Sequence, residues 1–265
     1  MLPVDLHTHT VAGGHGTTDT IADLAKAGAE KKMSILGITD HGPATPGACR
    51  EYYFRSLKMA PKMRAGMRLL YGAEANILNP EGKLDLSEAT LCCLDYCIAS
   101  IHPQSFVSPA YHRSSFFNRA QVMSDEQEAR RLNTAAYLHA MENPHVKIIG
   151  HPDDTHYPVD CEELVKGAVS HQVLLEINEI SLSPHGYRGD TRQTMKEILS
   201  LCMSYRHPIV LSSDSHGAAL VGEAPLAEAL LSEVGFPKEL VFNYAEPEFI
   251  IRFMTGAEGL DGKDL

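Results

Sequence analysis

The chain has 265 residues, of which 44% are hydrophobic and 22% charged, and its formal net charge at pH 7 is −11. Binding to long nucleic acids depends largely on an excess of Lys and Arg, so we expect no such partner for this acidic chain. No apolar run approaches the length of a transmembrane helix, so we also expect no membrane association.

Short, nearly continuous apolar runs alternate with amphipathic stretches, and such runs are typical of parallel strands buried on both faces. The runs that predict strands are, in chain order, PVDLH, ILGITDH, RLLYGAEAN, YCIASIH, VKIIGHP, VLLEIN and PIVLSSDSH. The stretches that predict helices are TTDTIADLAKAGAEKK, DEQEARRLNTAAYLHAM, DCEELVKGAVSHQ, DTRQTMKEILSLCMSYR, GEAPLAEALLSEVG and EPEFIIRFMTG.

Repeated strand-then-helix units predict an α/β fold with a parallel sheet and right-handed crossovers. Seven units favour a closed barrel over an open sheet. Because no linker or internal repeat divides the chain, we expect one domain over residues 1–265. The segment 104–126 is the least regular, and we interpret it as an active-site loop or lid.

Histidines and carboxylates gather at the C-terminal ends of the predicted strands, which converge on one face of a barrel. The two histidines of an HxH pair at a strand end point the same way, since side chains on a strand alternate. At roughly three to four protein ligands per metal, nine such residues could hold two or three ions. The nine candidate ligands are His7, His9, His15, His41, Glu74, His102, His151, Asp214 and His216.

The remaining histidines and the cysteines are interpreted as ordinary residues. Cys92, Cys93 and Cys97 lie in an apolar segment, and the six cysteines show no framework spacing, so we expect buried thiols in a cytoplasmic protein. The histidines outside the metal set are His112, His139, His145, His156, His171, His185 and His207.

The motifs DLHTHT, GITDHGP, GAEANI, SIHPQ, GHPDD and SSDSHG occur in this order. Together they resemble the PHP family of polymerase-and-histidinol-phosphatase metallophosphoesterases, and most closely its stand-alone phosphatases. The resemblance runs from Val4 to Gly217. It implies a distorted (βα)7 TIM-like barrel that holds three divalent ions, with Zn, Mn and Fe all suited to the ligands. The stretch between His102 and His151 is longer than in the compact relatives.

The resemblance also implies how the ligands divide among the ions. One metal would take His7, His9, Glu74 and Asp214, with Glu74 bridging to the second. The second metal would add His102 and His151. The third metal would take His15, His41 and His216.

From these features we expect a phosphatase that hydrolyses small phosphomonoesters by attack of a metal-bound hydroxide. Histidinol phosphate is the best single named substrate, and a broad-specificity phosphatase is at least as well supported. Asp40 is a candidate for orienting a ligand imidazole, and Asp153 for protonating the leaving group. The candidates for holding the substrate phosphate are Arg113, Arg119, Arg188 and Arg192.

Three alternatives remain open at this stage. The first is a phosphodiesterase or exonuclease acting on nucleotides or short oligonucleotides. The second is an amidohydrolase, although the lysine ligand and eighth strand typical of that group are not evident. The third is a structural or metal-buffering domain without turnover. The sequence does not determine the oligomeric state and is compatible with a homo-oligomer.

Overall fold

The computed structural model describes residues 1–113, 121–184 and 186–260. The strands within this part of the chain are β1 (Val4–Asp5), β2 (Thr8–His9), β3 (Ile35–Ile38), β4 (Met63–Arg64), β5 (Met67–Asn76), β6 (Tyr96–Ser100), β7 (Tyr111–Arg113), β8 (Gln121–Met123), β9 (Val146–Ile149), β10 (Leu174–Asn178), β11 (Ile209–Ser212) and β12 (Ser215–His216). The α-helices are α1 (Ile21–Glu30), α2 (Glu51–Ser56), α3 (Glu88–Leu91), α4 (Glu126–Met141), α5 (Cys161–His171), α6 (Arg192–Tyr205), α7 (Pro225–Val234) and α8 (Pro247–Met254).

Seven parallel strands form a near-closed barrel in the order β1, β3, β5, β6, β9, β10 and β11. Each of them coincides with one of the seven apolar runs, with β5 beginning one residue earlier, so the predicted (βα)7 barrel is confirmed. The six predicted helices correspond to α1 and α4 to α8. Three features were not predicted from the sequence, namely α2, α3 and the antiparallel pair of β7 and β8, which lies inside the segment interpreted as a loop.

The seam between β1 and β11 is closed by side chains and by a short extra pair of strands. The Asn243 side chain donates to the carbonyls of Val4 and Leu211 and accepts from the Leu211 amide, each at 2.8 Å. Asp5 accepts hydrogen bonds from the backbone amide and hydroxyl of Ser213. Further along, β2 and β12 pair in parallel, which places His9 directly beside His216. The seam therefore ends at the cluster of candidate ligands.

The barrel interior is apolar at its N-terminal end. Inward-facing residues such as Leu70 and Ile98 pack with Phe242 and with Phe249 and Phe253 of α8. These side chains are almost completely buried. Because apolar groups fill this end, the buried polar side chains are left to the opposite end, where the strands terminate.

Side chains cap the N-terminal ends of three of the described α-helices. At α1 the Thr20 hydroxyl accepts from the Asp23 amide, and the Asp23 carboxylate accepts from the Thr20 amide, which completes a capping box. Asp125 and Asp160 cap α4 and α5 in a similar way. None of the helices in the described part of the chain is long and apolar enough to span a bilayer.

The cysteines differ in part from the expectation of buried thiols. Cys97 is buried, but Cys93 is only partly buried and Cys92 is exposed. Cys92 follows α3, a short helix that the apolar segment did not predict, and the turn after it faces outwards. All six cysteines are free thiols.

Candidate metal centre

The structure brings all nine predicted ligands to the C-terminal end of the barrel. Backbone geometry fixes several of them directly. His41 forms an isolated parallel bridge with Glu74 of β5, and His9 pairs with His216 across the seam. His151 and Asp214 have positive φ angles of 32° and 50°. A non-glycine residue in this region costs about 1–3 kcal/mol, and such strain concentrates at functional sites.

Glu74 lies at the centre of the cluster, and its two carboxylate oxygens face different imidazoles. Oε1 lies 2.9 Å from His151 Nε2 and 3.3 Å from His102 Nε2. Oε2 faces three other rings, with distances of 2.5 Å to His41 Nδ1, 3.5 Å to His7 Nε2 and 3.6 Å to His9 Nε2. A carboxylate with separate neighbours on each oxygen has the geometry that bridging between two ions requires.

Asp214 is the second carboxylate of the cluster. Its Oδ1 lies 3.1 Å from His9 Nε2 and 3.6 Å from His7 Nε2. Its Oδ2 pairs with the Arg188 guanidinium at 3.1 Å. His7, His9 and Asp214 can each offer one atom to a common ion, because these atoms lie within 4.8 Å of one another.

A third group of rings lies beside these two carboxylates. The His9 ring centroid is 4.1 Å from that of His41 and 4.3 Å from that of His216. The exposed His15 ring lies 4.8 Å from His41 and 5.0 Å from His216. The structure thus places His9 next to His41 and His216, as well as next to Asp214.

Buried ligand atoms without hydrogen-bond partners are the clearest sign that these residues fit metal ions. Buried polar atoms are normally satisfied, and each exception needs an explanation. Within the described residues, the orphaned atoms of the cluster include His7 Nε2, His9 Nδ1, His41 Nε2, Glu74 Oε2 and His216 Nε2. Cations bound among these lone pairs would satisfy them, and imidazole and carboxylate together suit divalent transition metals.

The electrostatics of the cluster favour ionised carboxylates. Burial alone would raise the pKa of Glu74, but His102, His41 and His7 hold it well below its usual value. Burial of Asp214 is likewise outweighed by His7, His9 and Arg188, and its pKa is also well below normal. Burial and the neighbouring His41 lower the pKa of His9 well below its usual value, which favours its neutral form. The pKa of His7 moves the other way, because the charges of Glu176, Asp214 and Glu74 outweigh its burial. Ionised carboxylates and neutral imidazoles are the forms that bind metals.

Glu176 on β10 contacts the cluster of candidate ligands and was not predicted from the sequence. Its carboxylate accepts from His7 Nδ1 at 2.6 Å, from the His151 amide at 2.7 Å and from Asn178 Nδ2 at 3.0 Å. It also accepts a short hydrogen bond from the Ser212 hydroxyl. Because the Glu176 carboxylate accepts a hydrogen bond from His7 Nδ1, the proton is held there and the lone pair on His7 Nε2 faces Glu74 and Asp214. The signal was a charged residue inside the apolar run VLLEIN.

The two predicted catalytic carboxylates have positions other than those expected. Asp40 accepts from the Thr10 amide at 2.6 Å and from the Tyr53 hydroxyl at 2.5 Å, so it fixes the backbone after His9, and it has no hydrogen bond to an imidazole of the described residues. Burial raises the pKa of Asp153 to about 7, against the opposing charge of Arg188. Asp153 is not among the described residues that line the cavity over the cluster.

Of the four predicted phosphate-binding arginines, Arg188 reaches the cluster. It is buried, and its terminal nitrogens donate to Asn178, Ser181, Tyr187 and Asp214. Arg192 is exposed and forms an ion pair with Glu233 on the outer helices, away from the cavity. Arg119 and the side chain of Arg113 lie outside the described residues.

A cavity of about 250 Å³ opens above the cluster. Five of the candidate ligands, His15, His41, His102, Asp214 and His216, line it together with Arg188. Gln104 and Tyr187 contribute to its outer part. The cavity therefore joins the ligand cluster, a fixed positive charge and the solvent.

Comparisons with known proteins agree with this geometry. Residues 5–181 match the family model of the PHP domain. A probable phosphatase of Clostridium novyi (strain NT) is 36% identical over 247 residues, which cover 93% of this chain and 92% of that protein. A probable phosphatase of Caldicellulosiruptor bescii is 33% identical over 264 residues, which cover 100% of this chain and 98% of that protein.

Two solved structures have a similar fold. One is histidinol phosphate phosphatase from Lactococcus lactis, complexed with zinc, L-histidinol and phosphate. It has a TM-score of 0.58 and 17% identity, and covers 88% of this chain and 94% of that one. The other is a putative histidinol phosphatase from Listeria monocytogenes, with a TM-score of 0.55 and 18% identity over 83% of this chain and 97% of that one. At these identities the likeness concerns the fold.

Proposed function

The chain belongs to the PHP domain family, and on that premise we propose that it hydrolyses phosphate monoesters of small molecules at a centre of three divalent metal ions. The observation that carries the proposal is the set of buried imidazole and carboxylate atoms that converge around Glu74 and Asp214 without hydrogen-bond partners among the described residues. A purely structural domain has no need for so many unsatisfied ligands at one cavity.

The proximity of the side chains suggests how they would share the ions. His7, His9 and Asp214 would hold one ion, while His102 and His151 with Glu74 would hold a second. His41 and His216, with the exposed His15, would hold the third. Bound divalent ions would supply charge neutralisation of the phosphate and a lowered pKa for water near phosphorus.

We propose that Arg188 holds the substrate phosphate. Its two terminal nitrogens are saturated by four hydrogen bonds to neighbouring groups, so the guanidinium is fixed in place. Its Nε is buried without a partner in the described part of the chain, and the residue lines the cavity. An arginine held in this way offers a fixed positive charge to an anionic oxygen without reorganisation.

For Asp40 we propose that it positions the backbone beside a ligand, in place of the predicted contact with a ligand imidazole, and for Asp153 we propose no proton transfer to the leaving group. Asp40 anchors the turn that follows His9 through the Thr10 amide and hydroxyl. Asp153 is buried, which raises its pKa to about 7, although the positive charge of Arg188 opposes that effect. Neither lines the described cavity, and a general acid must reach the leaving oxygen.

The size of the cavity favours small substrates. A volume of about 250 Å³ lies below the roughly 300–1,000 Å³ typical of drug-sized ligands. It suits a phosphate with a small alcohol better than an oligonucleotide, and the net charge of −11 also disfavours a nucleic acid. A small phosphomonoester is therefore the substrate class to test first.

The test is phosphate release by the metal-replete protein from a panel of substrates. The panel holds p-nitrophenyl phosphate, histidinol phosphate, sugar phosphates, nucleoside monophosphates and the diester bis-p-nitrophenyl phosphate. We expect turnover of monoesters, with histidinol phosphate preferred if the enzyme is specific for it and with comparable rates across the monoesters if its specificity is broad. Cleavage of the diester alone would overturn the proposal in favour of a phosphodiesterase.

A pair of variants links turnover to the centre. His9→Ala should lose metal content and turnover together, because His9 approaches both Glu74 and Asp214. His171→Ala changes an exposed histidine at the end of α5 and serves as the matched control. Full activity in His9→Ala would contradict a mechanism based on this metal centre.

A further inference from the structure

A second group of metal-ligating side chains lies at the opposite end of the barrel. Cys92 precedes β6, and His145 immediately precedes β9. Because β6 and β9 are adjacent parallel strands, the residues before them meet at the N-terminal end of the barrel. Glu88 lies one helical turn before Cys92 and completes the group. None of these three belongs to the nine ligands described above.

The three donor atoms are close to one another. The His145 Nε2 atom lies 2.9 Å from Glu88 Oε1 and 3.7 Å from Cys92 Sγ. The Cys92 Sγ atom lies 3.5 Å from the same Glu88 oxygen. Each atom therefore contacts both of the others, so the three form a triangle.

The backbone around this triangle is held in place. The His145 carbonyl accepts from the Cys97 amide at 2.8 Å, and the His145 amide donates to Asn143 Oδ1 at 3.0 Å. The Cys92 amide donates to the Glu88 carbonyl at 3.0 Å. Two chain segments 53 residues apart are thus fixed next to each other before any ligand binds.

We propose that Cys92, His145 and Glu88 form a peripheral zinc site, with water as the fourth ligand. Bond lengths of about 2.3 Å for Zn–S and about 2.0–2.2 Å for Zn–N and Zn–O place tetrahedral donor atoms roughly 3.3–3.6 Å apart. The observed separations of 2.9, 3.5 and 3.7 Å differ from these values by a few tenths of an ångström at most. Small side-chain adjustments suffice to reach ideal geometry.

The chemistry of the donors selects the class of metal. A thiolate and an imidazole prefer zinc or cobalt to magnesium or calcium, which favour sites made of oxygen. On binding, the Cys92 thiol would lose its proton to solvent and its sulfur would form the metal–sulfur bond. Cys92 and Glu88 are exposed, so an ion and its bound water have access to the site.

The alternative is a surface hydrogen-bonded group without a metal, in which His145 and Glu88 pair and the thiol donates to the same carboxylate. Spectroscopy separates the two readings. The nine ligands of the main centre are histidines and carboxylates, so cobalt there has no sulfur ligand. A sulfur-to-cobalt charge-transfer band in the near ultraviolet would therefore report a cysteine-containing site.

The experiment loads the full chain with Co²⁺ and records its spectrum, for the wild type, Cys92→Ser and Cys93→Ser. Cys93 is the matched control, because it is the neighbouring thiol and its sulfur donates to the Ala89 carbonyl instead. We expect the band in the wild type and in Cys93→Ser, and its loss together with one metal equivalent in Cys92→Ser. Phosphatase turnover should be unchanged in Cys92→Ser, so this test is independent of the proposed function.

Two results would overturn the proposal. One is the absence of the band in the wild type at excess cobalt. The other is a band that persists in Cys92→Ser, which would assign the sulfur to another cysteine. His145→Ala gives a second check, because losing the imidazole should weaken cobalt binding at this site and leave the thiol intact.

Discussion

Replacing Glu176 with glutamine tests whether this carboxylate sets the metal-binding form of His7. The carboxylate accepts four hydrogen bonds, from His7, Ser212, the His151 amide and Asn178. Burial would raise the pKa of Glu176, but His7 outweighs it and keeps the group below its usual value. As an ionised acceptor it requires His7 Nδ1 to carry the proton, which leaves Nε2 available to a metal.

Glutamine cannot reproduce this arrangement in either orientation. If its NH2 group faces the His151 amide and Asn178, two buried donors lose their acceptor, at roughly 1–3 kcal/mol each. If the NH2 group faces His7, the imidazole must move its proton to Nε2 and loses the lone pair that would bind the metal. Substituting a residue that hydrogen-bonds to a metal ligand typically lowers metal affinity or activity by about 10–100-fold.

We therefore expect Glu176→Gln to lower zinc affinity by about 10–100-fold or to lower stability by roughly 2–6 kcal/mol, according to the orientation adopted. Zinc affinity is measured by competition with a chromophoric chelator, and stability by urea unfolding of the metal-free protein. Glu179→Gln is the matched control, because Glu179 is half-buried three residues away and accepts from the amides of Leu226 and Ala227 instead. The reasoning would be refuted if Glu176→Gln kept its zinc affinity and turnover within about threefold of the wild type and its free energy of unfolding within about 0.5 kcal/mol.

Three further predictions follow from the geometry. Arg188→Lys should reduce kcat/KM by about 100-fold, because a lysine ammonium group cannot reproduce the planar hydrogen-bonding geometry of the guanidinium, and a hydrogen bond to a charged partner is worth roughly 1.5–3 kcal/mol. Steady-state kinetics check this, with Arg192→Lys as an unaffected control. Removing the metals with a chelator should lower the melting temperature, because a ligand at 100 times its Kd stabilises by about 2.7 kcal/mol; an unchanged melting temperature would contradict the metal assignment. Asn243→Ala should cost about 3 kcal/mol through three lost seam hydrogen bonds, measured by urea unfolding, and a cost below about 1 kcal/mol would contradict their role.

The sequence predicted the barrel and the composition of the cluster because both follow from local patterns. Continuous apolar runs identify buried parallel strands, and the polar residues after them must meet where parallel strands end. His9 and His216 lie 207 positions apart in the chain, yet each could be assigned from its own strand alone. The structure brings them side by side across the seam.

What the sequence did not predict depends on contacts between distant segments. Glu176 lies within an apolar run, and strand alternation does not say which inward-facing position has a histidine opposite it. Arg192 is the first residue of α6, a position from which it was expected to reach the substrate phosphate, but it forms an ion pair with Glu233 of α7 on the outside of the barrel. The α3 helix has four residues, too few to give a periodic signal, and tertiary packing holds it.

The strand pair that closes the barrel also carries two of the candidate metal ligands. β1 and β11 are joined by Asn243 along the strands and by Asp5 and Ser213 at their C-terminal ends, and beyond these by the two-residue pair of β2 and β12. That last pair carries His9 and His216, and the turn before it holds Asp214 at a positive φ angle. Backbone strain of this kind persists where surrounding contacts over-determine it. Ions shared between His9, His216 and Asp214 would supply such contacts, so metal binding would hold the last part of the seam as well as prepare the site for chemistry.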